Sequence, residues 1–182
     1  MLRIVVPASE GFDEQKQEFV YTKEQVLHLE HSLVSLSKWE SKWHKPFFSM
    51  KKGDKSDLEI LDYIRCMTLT QNVDPEIYFH LSEQNQKDIN AYIDDPMTAT
   101  TFSQIQKTTS NKEIVTSELV YYWMIAYNIP VEFEKWHFNR LMTLIKICNI
   151  KNQPPKKMSK GAIMKQNTSL NAARRAAMHT RG

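Results

Sequence analysis

The chain has 182 residues, with 24 Lys and Arg against 21 Asp and Glu. Val, Leu, Ile and Phe make up about 24% of it, enough for one core and above the level of a disordered chain. Four glycines argue against a Gly-rich barrel, a collagen-like chain and a Gly-cradled nucleotide site. No apolar run approaches the ~18 residues that cross a bilayer. The stretch from Met1 to Pro7 is too short for a signal peptide. Cys66 and Cys148, both in apolar surroundings, read as reduced core residues of a cytosolic protein.

Residues 1–32 read as extended. Leu2, Ile4 and Val6 alternate until Pro7 stops the run, and Leu27 and Leu29 alternate again, which predicts two or three short antiparallel strands. From residue 33 the period changes. Leu33, Leu36, Glu40, Trp43 and Phe47 share a helical face with Trp39 beside it, so a helix is expected over 33–48, capped by Ser32 and ended by Pro46. Asp57 opens a second helix with Leu58, Leu61, Ile64, Cys66 and Leu69 on its inner side. Asp74-Pro75 restarts a short helix carrying Ile77, Tyr78 and Leu81. Ser82 caps the next, with Ile89, Tyr92 and Ile93 inward, and Asp95-Pro96 ends it.

Residues 97–112 are polar and read as a loop. Thr116 or Ser117 then caps Glu118 to Tyr127, a helix apolar on almost all sides and therefore expected at the centre. Pro130 starts a helix through Cys148, which Asn149 ends. Ser159 to Thr180 is helix-favouring with a thin apolar face of Ile163, Leu170, Ala173 and Ala177. The expected fold is therefore α+β and mostly helical. A small N-terminal antiparallel sheet (1–32) packs on a helical bundle (33–150), and 151–182 form a basic, partly flexible extension. The expected core includes Leu61, Ile64, Leu119, Trp123, Ile125, Trp136, Leu141, Leu144 and Ile145.

Charge is split along the chain. Residues 1–144 hold 15 bases and 21 acids, a balance of −6, and residues 145–182 hold nine bases and no acid. His28-Leu29-Glu30-His31 lacks the zinc-protease spacing, and neither a CxxC, a P-loop nor a nucleophile elbow occurs, so neither metal, cofactor nor enzyme chemistry is expected. Two features suggest partner binding instead. Trp39, Trp43 and Phe47 alternate with lysines, a pattern that suits a protein interface or base stacking. Lys156, Lys157, Lys160, Arg174 and Arg175 suit an acidic protein partner or nucleic-acid phosphates.

Several segments resemble a family of small tail-region proteins of siphophages and prophages of Gram-positive bacteria. They are Glu30 to Trp43 with Lys45-Pro46-Phe47, Asp62-Tyr63-Ile64 to Met67-Thr68-Leu69-Thr70, Pro96 to Phe102, Tyr121 to Ile125, Trp136 to Leu141 and Pro154 to Ser159. The resemblance implies a tail assembly chaperone, which coats the long tape measure protein in the host cell cytoplasm before the tail tube forms and then leaves. It implies the tape measure or another tail protein as partner, homo-oligomers as an option, and no membrane. It carries no defined site motif. A virion structural component of the tail or head–tail connector, and a nucleic-acid-binding regulator using the basic tail, are the rival expectations.

Overall fold

The computed structural model describes residues 1–13, 18–48, 55–102, 114–153 and 159–178. It is a mostly helical α+β fold whose contacts divide into two units, Met1–Asn149 and Ile150–Gly182. The expected polar loop over 97–112 falls largely outside the described residues, as do Lys156 and Lys157.

Four strands open the chain: β1 (Leu2–Val6), β2 (Ser9–Asp13), β3 (Glu18–Thr22) and β4 (Gln25–Leu29). β1 pairs antiparallel with β4 and β2 with β3. Leu2 faces Leu29, Val6 faces Gln25, Ser9 faces Thr22 and Asp13 faces Glu18. These pairings share one register, so the four strands are two stretches of a single hairpin. The ladder breaks at Pro7, which has no N–H to give. Pro7 was expected to stop the strand; it interrupts the strand for two residues and pairing then resumes. Ile4, Val6, Leu27 and Leu29 are buried on one face of the β1–β4 stretch, as alternation requires.

Helix α1 (Leu33–Trp43) starts at Ser32, whose hydroxyl accepts from the Ser35 amide while the Ser35 hydroxyl takes the Ser32 amide. It ends earlier than expected. His44 adopts a left-handed conformation (φ 54°) and bonds Glu40 O, because Lys45 precedes Pro46 and is sterically barred from continuing the helix. Helix α2 (Asp57–Met67) has a full capping box between Ser56 and Glu59. Its inner face is corrected: Tyr63, Ile64 and Met67 are buried, while Leu58 and Leu69 face outward. Beyond α2, the Leu69 amide donates to His28 O and the Glu30 amide to Met67 O, so this segment lines the second edge of β4.

A 3₁₀-helix, Pro75–His80, follows Asp74 and buries Ile77 and Tyr78, with Leu81 buried just after it. Helix α3 (Glu83–Asp94), capped by Ser82, buries Ile89 and Tyr92. Helix α4 (Ser117–Ala126) is capped by Thr116 and buries Val120 and Met124. It is not enclosed as expected. Tyr122 is exposed and Ile125, placed in the core from sequence, is 76% exposed.

The helix expected from Pro130 is broken. Val131–Lys135 is 3₁₀, Trp136 and His137 are extended, and α5 runs from Phe138 to Asn152, past Asn149. A tertiary contact makes the break: His137 bridges to Ser32, and the Phe138 amide donates to His31 O at 2.7 Å. Leu141 and Ile145 are buried, while Leu61, Leu119, Trp123, Trp136 and Leu144 are half-buried. Helix α6 (Lys160–Ala177) occupies the second unit.

Trp39 anchors the core. It has no exposure, its Nε1 donates to Glu59 O at 2.9 Å, and Phe47 meets it edge-on at 5.2 Å. Buried Glu40 joins two segments: one oxygen accepts from the Phe47 amide at 2.8 Å and the other from the Ser117 amide, in the first turn of α4, at 2.7 Å.

Candidate functional site

The sequence-selected residues occupy three different settings. Trp39 offers no surface to a partner, since it is wholly enclosed. Trp43 is half-buried, its Nε1 donating to Asp62 at 2.8 Å, with Lys42 on the other Asp62 oxygen at 2.5 Å. Phe47 is half-buried against Trp39 and Tyr63 under the Lys55 ammonium, which lies 3.7 Å from its centroid. Lys160, Arg174 and Arg175 are exposed on α6.

His31, from the tempting His28–His31 run, sits in a closed polar cluster. Its Nδ1 hydrogen-bonds the Tyr63 hydroxyl, its ring meets His137 at 5.2 Å, and Phe138 lies 5.7 Å away. His137 Nε2 pairs with Tyr92 O at 2.9 Å. The Tyr92 hydroxyl donates to Glu30, which also takes the N-terminal ammonium at 2.8 Å. Burial, aided by His137, lowers the His31 pKa to about 3, so this imidazole is neutral at physiological pH. Burial likewise raises the Tyr63 hydroxyl above its ordinary value. All of His31, Tyr63 and His137 are nearly inaccessible, so the cluster joins α1 to α2 and α5 and presents no opening to a substrate. Among the described residues no group of His, Cys, Asp and Glu is arranged to hold a metal.

An open concavity lies elsewhere. A groove of about 590 Å³ runs between the Pro96–Phe102 segment, α4 and α5. Phe102, Trp123, Tyr127, Met142 and Ile145 wall it, and the Lys146 ammonium lies over the Phe102 ring at 4.1 Å. Its size suits a bound apolar group, and Thr98, Thr100, Thr143, Lys146 and Asn149 add polar atoms to its walls. The exposed Tyr122 and Ile125 belong to the same α4. Sequence reasoning assigned Trp123, Ile125 and Ile145 to the core and gave Phe102, Met142 and Lys146 no role of their own. The available signal was α4 itself: a helix apolar on all sides that is not central must show an apolar face.

Comparison with known proteins finds no matching family model, no similar curated protein and no similar solved structure. Among the described residues no helix is long and apolar enough to cross a membrane.

Proposed function

We propose that this chain is a phage tail assembly chaperone that binds and shields the tape measure protein in the host cytoplasm. The resemblance of its longest sequence blocks supplies the family. The observation that carries the reading is the α4–α5 groove, with aromatic and methionine walls and Lys146 at its side. Such a groove suits the apolar stripe of a client helix, with Lys146 placed for a client carboxylate. A long client engages many copies, so each contact can be weak and reversible while the coat as a whole persists. The work is occlusion, with no covalent step.

Coexpression with the tape measure protein tests this. The client is expected in the soluble fraction with the wild-type chain and in the pellet with a Trp123→Ala, Lys146→Glu variant that retains its helical circular dichroism. Failure of purified chain to retain any tape measure fragment in pull-down overturns the proposal. So does full retention by the groove variant. Recovery of the chain as a stoichiometric part of washed virions favours the structural-component reading instead.

A further inference from the structure

The second unit has a charge character of its own. Residues 150–182 hold eight bases and no acid, whereas residues 1–149 hold 16 bases and 21 acids. Lys160, Lys165, Arg174 and Arg175 lie on α6, and all four are exposed. The turn of the helix sorts its side chains. Asn167 and Asn171 fall along the middle of one face, with Lys160 on the same line nearer the N-terminus. Arg174 borders that face on one side and Arg175 on the other, with Met164 and Thr168 on the Arg175 side. Ile163, Leu170, Ala173 and Ala177 form a separate stripe, into which Gln166 also falls. From Lys160 to Arg175 the basic face runs ~22 Å, the length of about six base pairs.

This layout favours one partner. A helix in the major groove of B-form DNA has a wall of phosphates on each side and base edges beneath it. Bases on both flanks with carboxamides along the middle match that setting. The guanidiniums meet phosphates on the two walls, and an Asn carboxamide, donor and acceptor together, matches the exposed edge of adenine. A lipid surface asks for something else. A helix lying in a bilayer interface sets Trp, Phe and Leu on its apolar side. Helix α6 has no aromatic residue, and its stripe holds only two large side chains, Ile163 and Leu170. The RNA duplex is a poorer fit as well, since its major groove is too narrow for side chains to read.

We propose that α6 binds duplex DNA in the major groove, with Arg174 and Arg175 on the phosphates of the two walls and Asn167 and Asn171 against base edges. Every described α6 side chain is exposed, so the helix has no packing to hold it, and the DNA supplies that surface. This is a second binding activity, carried by the second unit. It goes beyond client shielding and does not depend on the α4–α5 groove.

Fluorescence anisotropy of the full chain with a labelled duplex of about 20 base pairs, between about 50 and 200 mM salt, tests this. Binding is expected to weaken with salt at a log–log slope of about −3, the value for about three neutralised phosphates. Single-stranded DNA is expected to bind more weakly than the duplex. Arg174→Gln/Arg175→Gln is expected to bind about tenfold more weakly or worse at low salt and to flatten the slope by about 2. Asn167→Ala/Asn171→Ala is expected to keep the slope and lose the preference for duplexes containing A·T pairs over an all-G·C duplex. The four substituted residues are exposed, so both variants should keep the fold, which circular dichroism checks. Absence of binding at the lowest salt overturns the proposal, as does an arginine variant that binds like wild type. Equal affinity for duplex and single strand overturns it, as does an asparagine variant with wild-type base preference. Capture by phosphatidylserine vesicles without DNA binding assigns the helix to lipid, with the same consequence. Hydrogen-exchange protection of α6 that DNA does not raise assigns the helix to the protein's own surface and also overturns it.

Discussion

Mild acid is expected to weaken this fold through His31. In the unfolded chain that imidazole titrates near 6.5, and in the folded chain near 3. The folded pKa is the lower one, so the unfolded state takes up the proton first as pH falls. The contribution is therefore complete above pH 6.5 and drains as pH drops toward the folded value, by about 1.4 kcal/mol per unit. Between neutrality and about pH 4.5 the loss is about 2–3 kcal/mol, a large share of the ~5–15 kcal/mol typical of a domain. The groups facing His31 are the Tyr63 hydroxyl and the His137 and Phe138 rings, and no carboxylate among the described residues pairs with it. His31→Asn places an amide oxygen near the Nδ1 position and removes the titration. Urea unfolding at a series of pH values gives the test, read as the difference between the two proteins so that carboxylate titration cancels. Wild type should lose stability more steeply than His31→Asn from pH 6.5 down to about 4.5. Parallel curves would refute a buried, neutral His31.

Glu40→Gln leaves one backbone amide facing an NH₂ group instead of an oxygen, and should cost about 1–3 kcal/mol in thermal melts. Trp39→Ala empties the largest enclosed side chain and should cost about 3–5 kcal/mol, seen as a lower urea midpoint. Removing residues 159–182 should leave the first unit's melting transition within about 0.5 kcal/mol at concentrations where the chain is monomeric, while helical dichroism falls.

Local chemistry was legible where one residue decides the outcome. Ser32, Ser82 and Thr116, the first of the two residues read as capping α4, each accept from an amide in the first turn of the helix they precede, and Asp74-Pro75 opens its short helix as read, whereas the Ser56 cap of α2 was not singled out. Helix faces were less legible. Leu58 and Leu69 were assigned inward by apolarity, yet the side α2 buries carries Glu59 and Tyr63, whose polar atoms find partners there. The interruption after Pro130 has no local signal, because it is imposed by pairing with Ser32, more than a hundred residues away. The groove was hidden for a similar reason: periodicity cannot tell which side of an all-apolar helix is covered.

Asn85 does two jobs. Its Oδ1 takes the Ser82 amide and hydroxyl at the start of α3, and its Nδ2 donates to Val5 O in β1 at 3.1 Å. With Pro7 withholding a donor two residues on, the outer margin of the hairpin offers little for a stray strand to zip onto. Substituting Asp here would keep the helix start but turn a donor toward Val5 into a repelling oxygen. That single exchange should leave secondary structure intact and make the protein stickier, separating a tendency to clump from any failure to fold.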